Sequence, residues 1–252
     1  MHGRPALTVL IPAYNERAGL TGCVEAVRDQ LTVQGLDAEI LIVDDGSRDG
    51  TGPLADDLAA ANPLVRVVHH ARNQGIGPAF VTGVASARGE WLILIPADLA
   101  LDPAELRKYW EASRAADIVV GNRSDISDYS GFRRLVHYAN ISLVRILFRM
   151  PLHQFQYISL YRLAALQGIE IDYYHSAFFL AEILIKAHAL GARLVEVPIR
   201  YVPRMTGQAT GARWRQIVGT LQDMTQFWMR WVWLGPSGAS RRHVPAAKSS
   251  PS

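Results

Sequence analysis

Cysteine is almost absent from this 252-residue chain, in which Cys23 is the single example. One cysteine cannot form a disulfide within the chain, and no cysteine–histidine spacing of a zinc site occurs. A chain without disulfides is typical of a reducing compartment. The sequence therefore predicts neither a disulfide framework nor a zinc-type site.

Long apolar runs are also missing. Every stretch that approaches the roughly 20 residues of a membrane-spanning helix is interrupted by Arg, Gln or Asp. The first residues lack the apolar core of a secretory signal, so we expect no signal peptide. These absences predict a cytoplasmic protein that is soluble or bound peripherally to the cytoplasmic face of a membrane.

Neither sign of charge dominates, because 26 Lys and Arg residues face 23 Asp and Glu residues and leave a net charge of +3. The arginines are concentrated from Arg123 onward, and no nucleic-acid recognition module accompanies them. Anionic lipid or a phosphorylated ligand suits such a small basic excess. We therefore expect no nucleic-acid partner.

The first half of the chain alternates short apolar runs with helical periodicity. Strands are predicted at 7–11, 39–43, 65–69, 91–95 and 118–120. Helices are predicted at 15–31, from Asp49 or Thr51 to 61, at 77–87, and from 102 to about 114. Unbroken apolar strands between helices indicate an α/β fold with a mostly parallel, Rossmann-like central sheet and flanking helices. Ligands of such sheets bind beyond the carboxyl ends of the strands.

The second half is more basic and more aromatic. We predict helices at 132–150, 177–190 and 214–234, and strands at 157–161 and 193–202. The helix at about 132–150 is amphipathic, with Arg134, Arg145 and Arg149 close together on one side. The composition of 235–252 predicts a disordered basic tail. This divides the chain into a domain at 1–211, an aromatic amphipathic helix at 212–234 and the tail.

The aromatic helix carries an apolar stripe with arginines beside it. The stripe consists of Ile217, Leu221, Met224, Trp228 and Trp231. Such a pattern is typical of an interfacial helix in the headgroup zone of a membrane. A helix packed on the domain or on another subunit fits the pattern equally well, so homo-oligomerisation or docking on a membrane subunit remain alternatives.

Polar or glycine-rich turns follow five consecutive predicted strands, at 12–16, 44–51, 72–79, 96–98 and 121–123. Any one of them is also explained as an ordinary turn. Five in succession indicate a binding edge, where carboxylates accept from a base or ribose and glycines let backbone N–H groups approach phosphate. A dinucleotide site would need G-x-G-x-x-G after the first strand, and this chain has Pro-Ala-Tyr-Asn-Glu there.

The order of these motifs resembles the inverting family 2 glycosyltransferases with a GT-A fold. The resemblance rests on VLIPAYNE, IVDDGSRDGT, NQGIGPA and PAD, and it covers roughly 7–211. The later segments VVGNR and ALGARLVEVPIRYVPRMTG, with Glu182 on the helix before the second of them, resemble polyprenyl-phosphate sugar transferases such as dolichol-phosphate mannose synthase.

The resemblance implies a nucleotide-sugar donor, a polyprenyl-phosphate acceptor at the membrane surface and a divalent cation, Mg²⁺ or Mn²⁺. It assigns the nucleotide site to Pro12, Ala13, Tyr14, Glu16, Asp44 or Asp45, Gly75, Ile76, Gly77 and Ala97. It assigns catalysis and phosphate binding to Asp98, Arg123, Arg133 or Arg134, and Arg204. Asp98 is also the expected metal ligand.

The chain departs from the family pattern at the metal motif. Where the family has Asp-x-Asp and often a Gln two places later, this chain has Pro96, Asp98 and Ala100. The usual Ser-Lys after Arg204 is also missing, and Arg213 is the nearest replacement cation. One carboxylate with substrate phosphates can still hold Mg²⁺. Alternatively, arginines neutralise the leaving diphosphate, or the site is disabled.

A phosphate acceptor suits these departures. A hydroxyl acceptor needs a general base, whereas a phosphomonoester oxygen is already anionic near neutral pH. The sequence therefore predicts an inverting transferase that moves a sugar from a UDP- or GDP-sugar to a polyprenyl phosphate. The alternatives are a transferase for a soluble hydroxyl acceptor and a nucleotide-sugar-binding pseudoenzyme.

Overall fold

One seven-stranded mixed sheet forms the centre of the protein in the computed structural model, which describes residues 4–99, 101–123, 131–155, 157–200 and 214–240. The strands are β1 Leu7–Ala13, β2 Ala38–Asp44, β3 Val65–His69, β4 Trp91–Leu94, β5 Ile118–Arg123, β6 Ser159–Arg162 and β7 Leu194–Ile199. Their order across the sheet is β3-β2-β1-β4-β6-β5-β7. Only β6 runs against its neighbours, β4 and β5.

Helices connect and cover the strands. They are α1 Leu20–Val33, α2 Thr51–Ala61, α3 Ile76–Ser86, α4 Leu106–Ala112, α5 Gly131–Phe148, α6 Leu163–Leu166, α7 Phe179–Ala189 and α8 Trp214–Ser240. The backbone leaves helical geometry at Gly235 inside α8, one residue after the predicted helix end. No helix in the described ranges is long and apolar enough to cross a bilayer.

Both faces of the sheet are buried, as continuous apolar strands require. Side chains of successive strand residues point to opposite faces. Val9 and Ile11 of β1 therefore join an apolar cluster with Val27 of α1. Leu10, between them, joins a second cluster with Phe80 of α3. The predicted mostly parallel α/β sheet is confirmed.

Several element boundaries differ from the predictions. Helix α1 begins at Leu20 and not at Asn15, because Asn15 has a left-handed backbone with φ 56° and belongs to a loop. The predicted helix at 102–114 is α-helical only in its middle, between 3-10 turns at Pro103–Glu105 and Ser113–Ala115. Residues 121–123 extend β5 and do not form a turn. The short helix α6 was not predicted.

Candidate active site

A cleft of about 280 Å³ lies at the carboxyl ends of β1, β2 and β4. It is lined by Pro12, Ala13, Tyr14, Glu16, Asp45, Asn73, Gly75, Ile76, Ala79, Pro96, Ala97 and Asp98. Most residues that the family resemblance assigns to the nucleotide and the metal thus meet in one place. Two of them, Asp44 and Gly77, lie outside this lining, which also includes Asn73, Ala79 and Pro96, residues to which the resemblance assigns no role.

Hydrogen bonds between distant segments fix the loop that follows β1. The backbone N–H of Asn15 donates to Ser47 Oγ at 3.0 Å, and Asn15 Oδ1 accepts from the Arg48 N–H at 2.9 Å. The N–H of Glu16 donates to Thr51 Oγ1 at 2.9 Å. The motif residues after β1 and β2 therefore hold one another, which places Glu16 and Tyr14 at the cleft before any ligand binds.

The loop after β2 also packs closely on the segment after β3. A Cβ at Gly46, which has φ 70°, would lie 2.5 Å from the Arg72 carbonyl carbon. Only glycine combines this close approach with a left-handed backbone at low cost. Nearby, Asp49 Oδ1 accepts from the Thr51 N–H at 3.0 Å. Glycine in Asp45-Gly46 is therefore required by the contact between two loops.

Asp44 and Asp45 point to opposite sides of the sheet. The Asp45 N–H donates to Ala13 O at 2.8 Å, so the strand pairing and its alternation continue one residue past β2. Asp45 lines the cleft. Its carboxylate accepts from the N–H groups of Gln74 at 2.9 Å and Gly75 at 2.7 Å, and from His70 Nδ1 at 2.7 Å.

Asp44 holds the loop before α2 and the end of β3 instead. Its Oδ1 accepts from the Ser47 N–H at 3.1 Å, and its Oδ2 pairs with His69 Nδ1 at 3.0 Å. Burial raises the pKa of Asp44, but hydrogen bonds from Ser47 and His69 outweigh burial, and the net pKa is lowered. Hydrogen bonds to Asp44 and then Asp56 raise the pKa of His69.

The glycine-rich turn after β3 serves two contacts. Gly75, with φ 97°, and Ile76 line the cleft. Gly77 packs on another segment, because a Cβ there would overlap the carbonyl oxygen of Tyr174. Of the predicted residues 75–77, Gly75 and Ile76 line the cleft, whereas Gly77 permits close packing behind the cleft.

A buried ion-pair network anchors that neighbouring segment. Glu182 of α7 accepts from the N–H groups of Asp172 at 2.9 Å and Tyr173 at 3.0 Å. Lys186 Nζ donates to Glu182 Oε1 at 2.7 Å and to Asp172 Oδ2 at 2.9 Å. Burial raises the pKa of Glu182, with Lys186 opposing the rise. Glu182 therefore helps to hold the segment on which Gly77 packs.

Asp98 lies in a tight turn after β4. The Leu99 N–H donates to Pro96 O at 3.0 Å, and Leu99 has a left-handed φ of 51°. Beneath the turn, burial raises the pKa of Cys23 to about 12, and the charges of Asp98 and Glu16 add to the rise. Both carboxylates therefore lie close enough to act on the same buried thiol.

The residues around Asp98 suit one kind of divalent-cation site. In the described part of the chain, no group of three or more His, Cys, Asp or Glu residues is placed to hold a metal ion. Pro96 has no carboxylate to offer where the family pattern has an acid. Mg²⁺ is often bound by one or two carboxylates together with substrate phosphates and waters. Asp98 fits that arrangement and not a site built from protein ligands alone.

Of the predicted arginines, the structure describes the side chains of Arg123 and Arg134. Arg123 is the last residue of β5 and lies at the same edge of the sheet as Asp98. It is buried, with 8% of its surface exposed. Arg134 lies on the exposed side of α5. Arg133 also lies on α5, but its side chain is outside the described part, as is Arg204 altogether. The grouping of these cations around phosphate stays a prediction.

Helices α5 and α8 pack together and still expose apolar side chains. Phe148 of α5 contacts Phe227 and Trp231 of α8, with ring centroids 5.3 and 5.9 Å apart. Part of the aromatic stripe therefore packs on the protein. Exposed apolar side chains remain on both helices, namely Phe132, Leu135, Tyr138, Leu143, Ile146, Leu221, Trp228, Met229, Val232 and Trp233.

Comparison with known proteins identifies relatives over most of the chain. The family model described as Glycosyl transferase family 2 matches residues 8–186. Undecaprenyl-phosphate mannosyltransferase of Micrococcus luteus is 32% identical over 210 residues, which cover 79% of this chain and 85% of that protein. Polyprenol monophosphomannose synthase of Mycolicibacterium smegmatis is 32% identical over 79% of this chain and 78% of its own length.

A longer relative is also similar in sequence, and two solved structures are similar in fold. Dolichol-phosphate mannosyltransferase of Pyrococcus furiosus is 29% identical over 81% of this chain but only 58% of its own length. A Pyrobaculum calidifontis mannosyltransferase in complex with GDP-Man and Mn²⁺ superposes with a TM-score of 0.63 at 18% identity, covering 94% of this chain and 72% of that one. Glucosyl-3-phosphoglycerate synthase of Mycobacterium tuberculosis, with Mn²⁺ and UDP, gives 0.64 at 19%, covering 87% and 79%. The predicted GT-A fold is confirmed.

Proposed function

Because the chain belongs to glycosyl transferase family 2, we propose that this glycosyltransferase moves one sugar from a UDP- or GDP-sugar to a polyprenyl phosphate, with inversion. The observation that carries the proposal is the cleft, in which the turns after β1, β2, β3 and β4 meet. Relatives at 32% identity are named for transfer to undecaprenyl phosphate and for polyprenol monophosphomannose synthesis, which supports the acceptor class.

The nucleotide occupies the end of the cleft between the loops after β1 and β2. Asp45 presents a carboxylate there for an N–H of the base or a hydroxyl of the ribose. Tyr14, with 43% of its surface exposed, offers an aromatic ring at the same wall. Since Asn15, Ser47 and Thr51 already hold these loops, little conformational entropy is lost when the donor binds.

The donor diphosphate lies toward Asp98. A divalent cation, Mg²⁺ or Mn²⁺, held there by Asp98 and the donor phosphates would neutralise the charge that develops on the leaving diphosphate. Arg123, Arg133 or Arg134, and Arg204 supply further positive charge to the donor and acceptor phosphates. Guanidinium groups are suited to this role because they stay charged and bind phosphate oxygens in pairs.

Transfer is a single displacement at the anomeric carbon. An acceptor phosphate oxygen forms the new bond from the face opposite the nucleoside diphosphate, whose bond to the sugar breaks as an electron pair leaves with it. The attacking oxygen is anionic, so alignment and cationic support suffice without a general base. Pro96 in place of an acid is compatible with this chemistry.

We also propose that the protein meets its lipid acceptor at the cytoplasmic face of a membrane. The exposed aromatic and apolar residues of α5 and α8, with Arg134 and Arg230 on the same helices, suit the headgroup zone. A second copy of the chain or a membrane subunit would cover the same residues, and in that case lipid vesicles would not bind the purified protein.

A transfer assay tests the proposal. Purified protein is given radiolabelled UDP- and GDP-sugars with polyprenyl phosphate or, as a matched control, the corresponding polyprenol in detergent micelles. We expect label in the organic phase only with the phosphate, and loss of that label in Arg204→Ala with an unchanged melting temperature. Transfer to a soluble hydroxyl acceptor, with none to polyprenyl phosphate, would overturn it.

Pro96 supports one further candidate, a nucleotide-sugar-binding protein without turnover. A site with one carboxylate holds metal weakly, and loss of the cation would slow departure of the diphosphate. Tight nucleotide binding with no transfer under Mn²⁺, Mg²⁺ or chelator would favour this candidate over the transferase.

A further inference from the structure

We propose that His70 is a positioning residue of the donor site, which orients the Asp45 carboxylate and leaves it one acceptor position for the donor. The inference rests on the proposed function, because it assigns the ligand of Asp45 to a nucleotide. None of the sequence motifs pointed to His70, which lies in the loop after β3.

His70 is held on both ring nitrogens. Its side chain has 8% of its surface exposed. Nδ1 lies 2.7 Å from Asp45 Oδ1, and Nε2 lies 2.8 Å from Thr82 Oγ1 on α3. An ionised carboxylate only accepts hydrogen bonds, so Nδ1 carries the proton that points at Asp45. The Thr82 hydroxyl fixes the ring in this orientation, much as a supporting residue fixes a functional group in other sites.

The remaining contacts of Asp45 define what a ligand can use. Among the described residues, Oδ1 accepts from His70 and from the Gln74 N–H, whereas Oδ2 accepts only from the Gly75 N–H. A carboxylate has about four acceptor positions, two on each oxygen. The one left over is therefore on Oδ2, and it accepts a single N–H or O–H from the donor.

The loop after β3 should keep its fold without the His70 side chain. Without it, the N–H groups of Gln74 and Gly75 still hold the carboxylate, so the turn after β3 keeps its anchor. Oδ1 would gain a vacant acceptor position, and water or a rotated carboxylate would compete with the productive geometry. The expected result is weaker donor binding in a folded protein.

His69 provides a matched control one residue earlier. Its Nδ1 pairs with Asp44 Oδ2 at 3.0 Å and its Nε2 with Asp56 Oδ1 at 3.0 Å, on the α2 side of the sheet. Like His70, it is a histidine at the end of β3 that pairs with an aspartate, but its hydrogen bonds, among the described residues, go to none that lines the cleft.

The test is calorimetric titration of UDP and of GDP into the full-length wild type, His70→Ala, His70→Asn, Thr82→Val and His69→Ala. We expect His70→Ala to raise the dissociation constant of the bound nucleotide about tenfold, the effect of one hydrogen bond to a charged group. His70→Asn, whose amide N–H can replace Nδ1–H, should recover part of this loss. Thr82→Val should show a smaller loss, and His69→Ala should stay within about twofold of wild type.

Steady-state kinetics add a readout that a general structural defect would not give. For His70→Ala we expect a raised KM for the nucleotide sugar with kcat retained at saturation. Equal affinity in wild type and His70→Ala would overturn the inference, as would equal losses in His70→Ala and His69→Ala. If His70→Ala does not fold, His70→Asn and Thr82→Val decide by the same criteria. If the wild type binds neither nucleotide, the proposed function fails, and the inference with it.

Discussion

Two aspartate–histidine pairs lie side by side at the ends of β2 and β3, and they differ in what they face. Asp44 and His69 are partners in the strand register. Asp45 and His70 follow them by one residue and pair in the same way. Because successive residues of a strand point to opposite faces, the first pair packs toward α2 and the second borders the cleft.

The difference shows that position in the pleat, and not residue type, separates support from binding here. The first pair supports the fold by joining β2, β3 and α2 through Asp44, His69 and Asp56. The second pair presents one carboxylate to a cleft that contains two more acids, Glu16 and Asp98.

The largest effect is expected for an acid of the cleft that belongs to neither pair. Asp98→Asn removes the carboxylate that would hold a divalent cation on the donor diphosphate, so transfer should fall by at least about 100-fold. The Asp–His pairs are untouched, and the melting temperature should stay within about 2 °C. The exposed Asp57→Asn on α2 is the matched control. Equal transfer rates in the two variants would remove Asp98 from the mechanism.

Asp44→Asn should act on stability. Its carboxylate accepts from Ser47 and pairs with His69, and an amide cannot accept on both sides. We expect the free energy of unfolding, from urea titration, to fall by about 1.5–3 kcal/mol, the range for hydrogen bonds to charged groups. Nucleotide affinity should change less than about threefold. A large loss of affinity with unchanged stability would exchange the roles of the two aspartates.

Gly52→Ala tests the Asp44–His69 pair by adding a methyl group from α2. The added Cβ would lie 2.9 Å from Asp44 Oδ2, so the carboxylate or the helix must shift. Overpacking costs about 1–3 kcal/mol, and replacing glycine in a helix recovers up to about 1 kcal/mol, so we expect a net loss of about 1 kcal/mol. In α1, Gly22→Ala has no atom within 4 Å of its Cβ and should be neutral or stabilising. Equal unfolding free energies for the two variants would contradict this account.

The smallest effect concerns pH. The pKa of His69 is raised above 6.5 by Asp44 and Asp56, so the folded state binds its proton more tightly. This contribution to stability is complete below about pH 6.5 and is lost as pH rises through the folded-state pKa. The difference in urea midpoint between wild type and His69→Gln should therefore shrink from roughly pH 5.5 to pH 8. A difference in urea midpoint that grows with pH would contradict a raised pKa of His69 in the folded state.

The sheet and the position of the cleft follow from local patterns in the sequence. Unbroken apolar runs predicted five of the strands, and the turns after them predicted Tyr14, Glu16 and Asp98 at one edge. Strand-end geometry makes this possible, because parallel strands bring their carboxyl ends together whatever the loops do.

What the sequence did not resolve depends on contacts between residues far apart in the chain. Asp44 and Asp45 were equal candidates, because only the pairing of β2 with β1 and β3 assigns their faces. Asn15 joined α1 in the prediction, since hydrophobic periodicity carries no information about its bond to Ser47, 32 residues away. His70 gave no signal for the same reason, as its partner Asp45 is 25 residues away.

The most direct test of the account is nucleotide titration into Asp45→Asn beside Asp44→Asn. Both substitutions remove a charged acceptor of several hydrogen bonds, so both should lower the urea midpoint. The account predicts that only Asp45→Asn weakens binding of the preferred nucleotide, by at least about tenfold. Undiminished binding by Asp45→Asn, with the loss appearing in Asp44→Asn, would contradict the assignment of this cleft as the donor site.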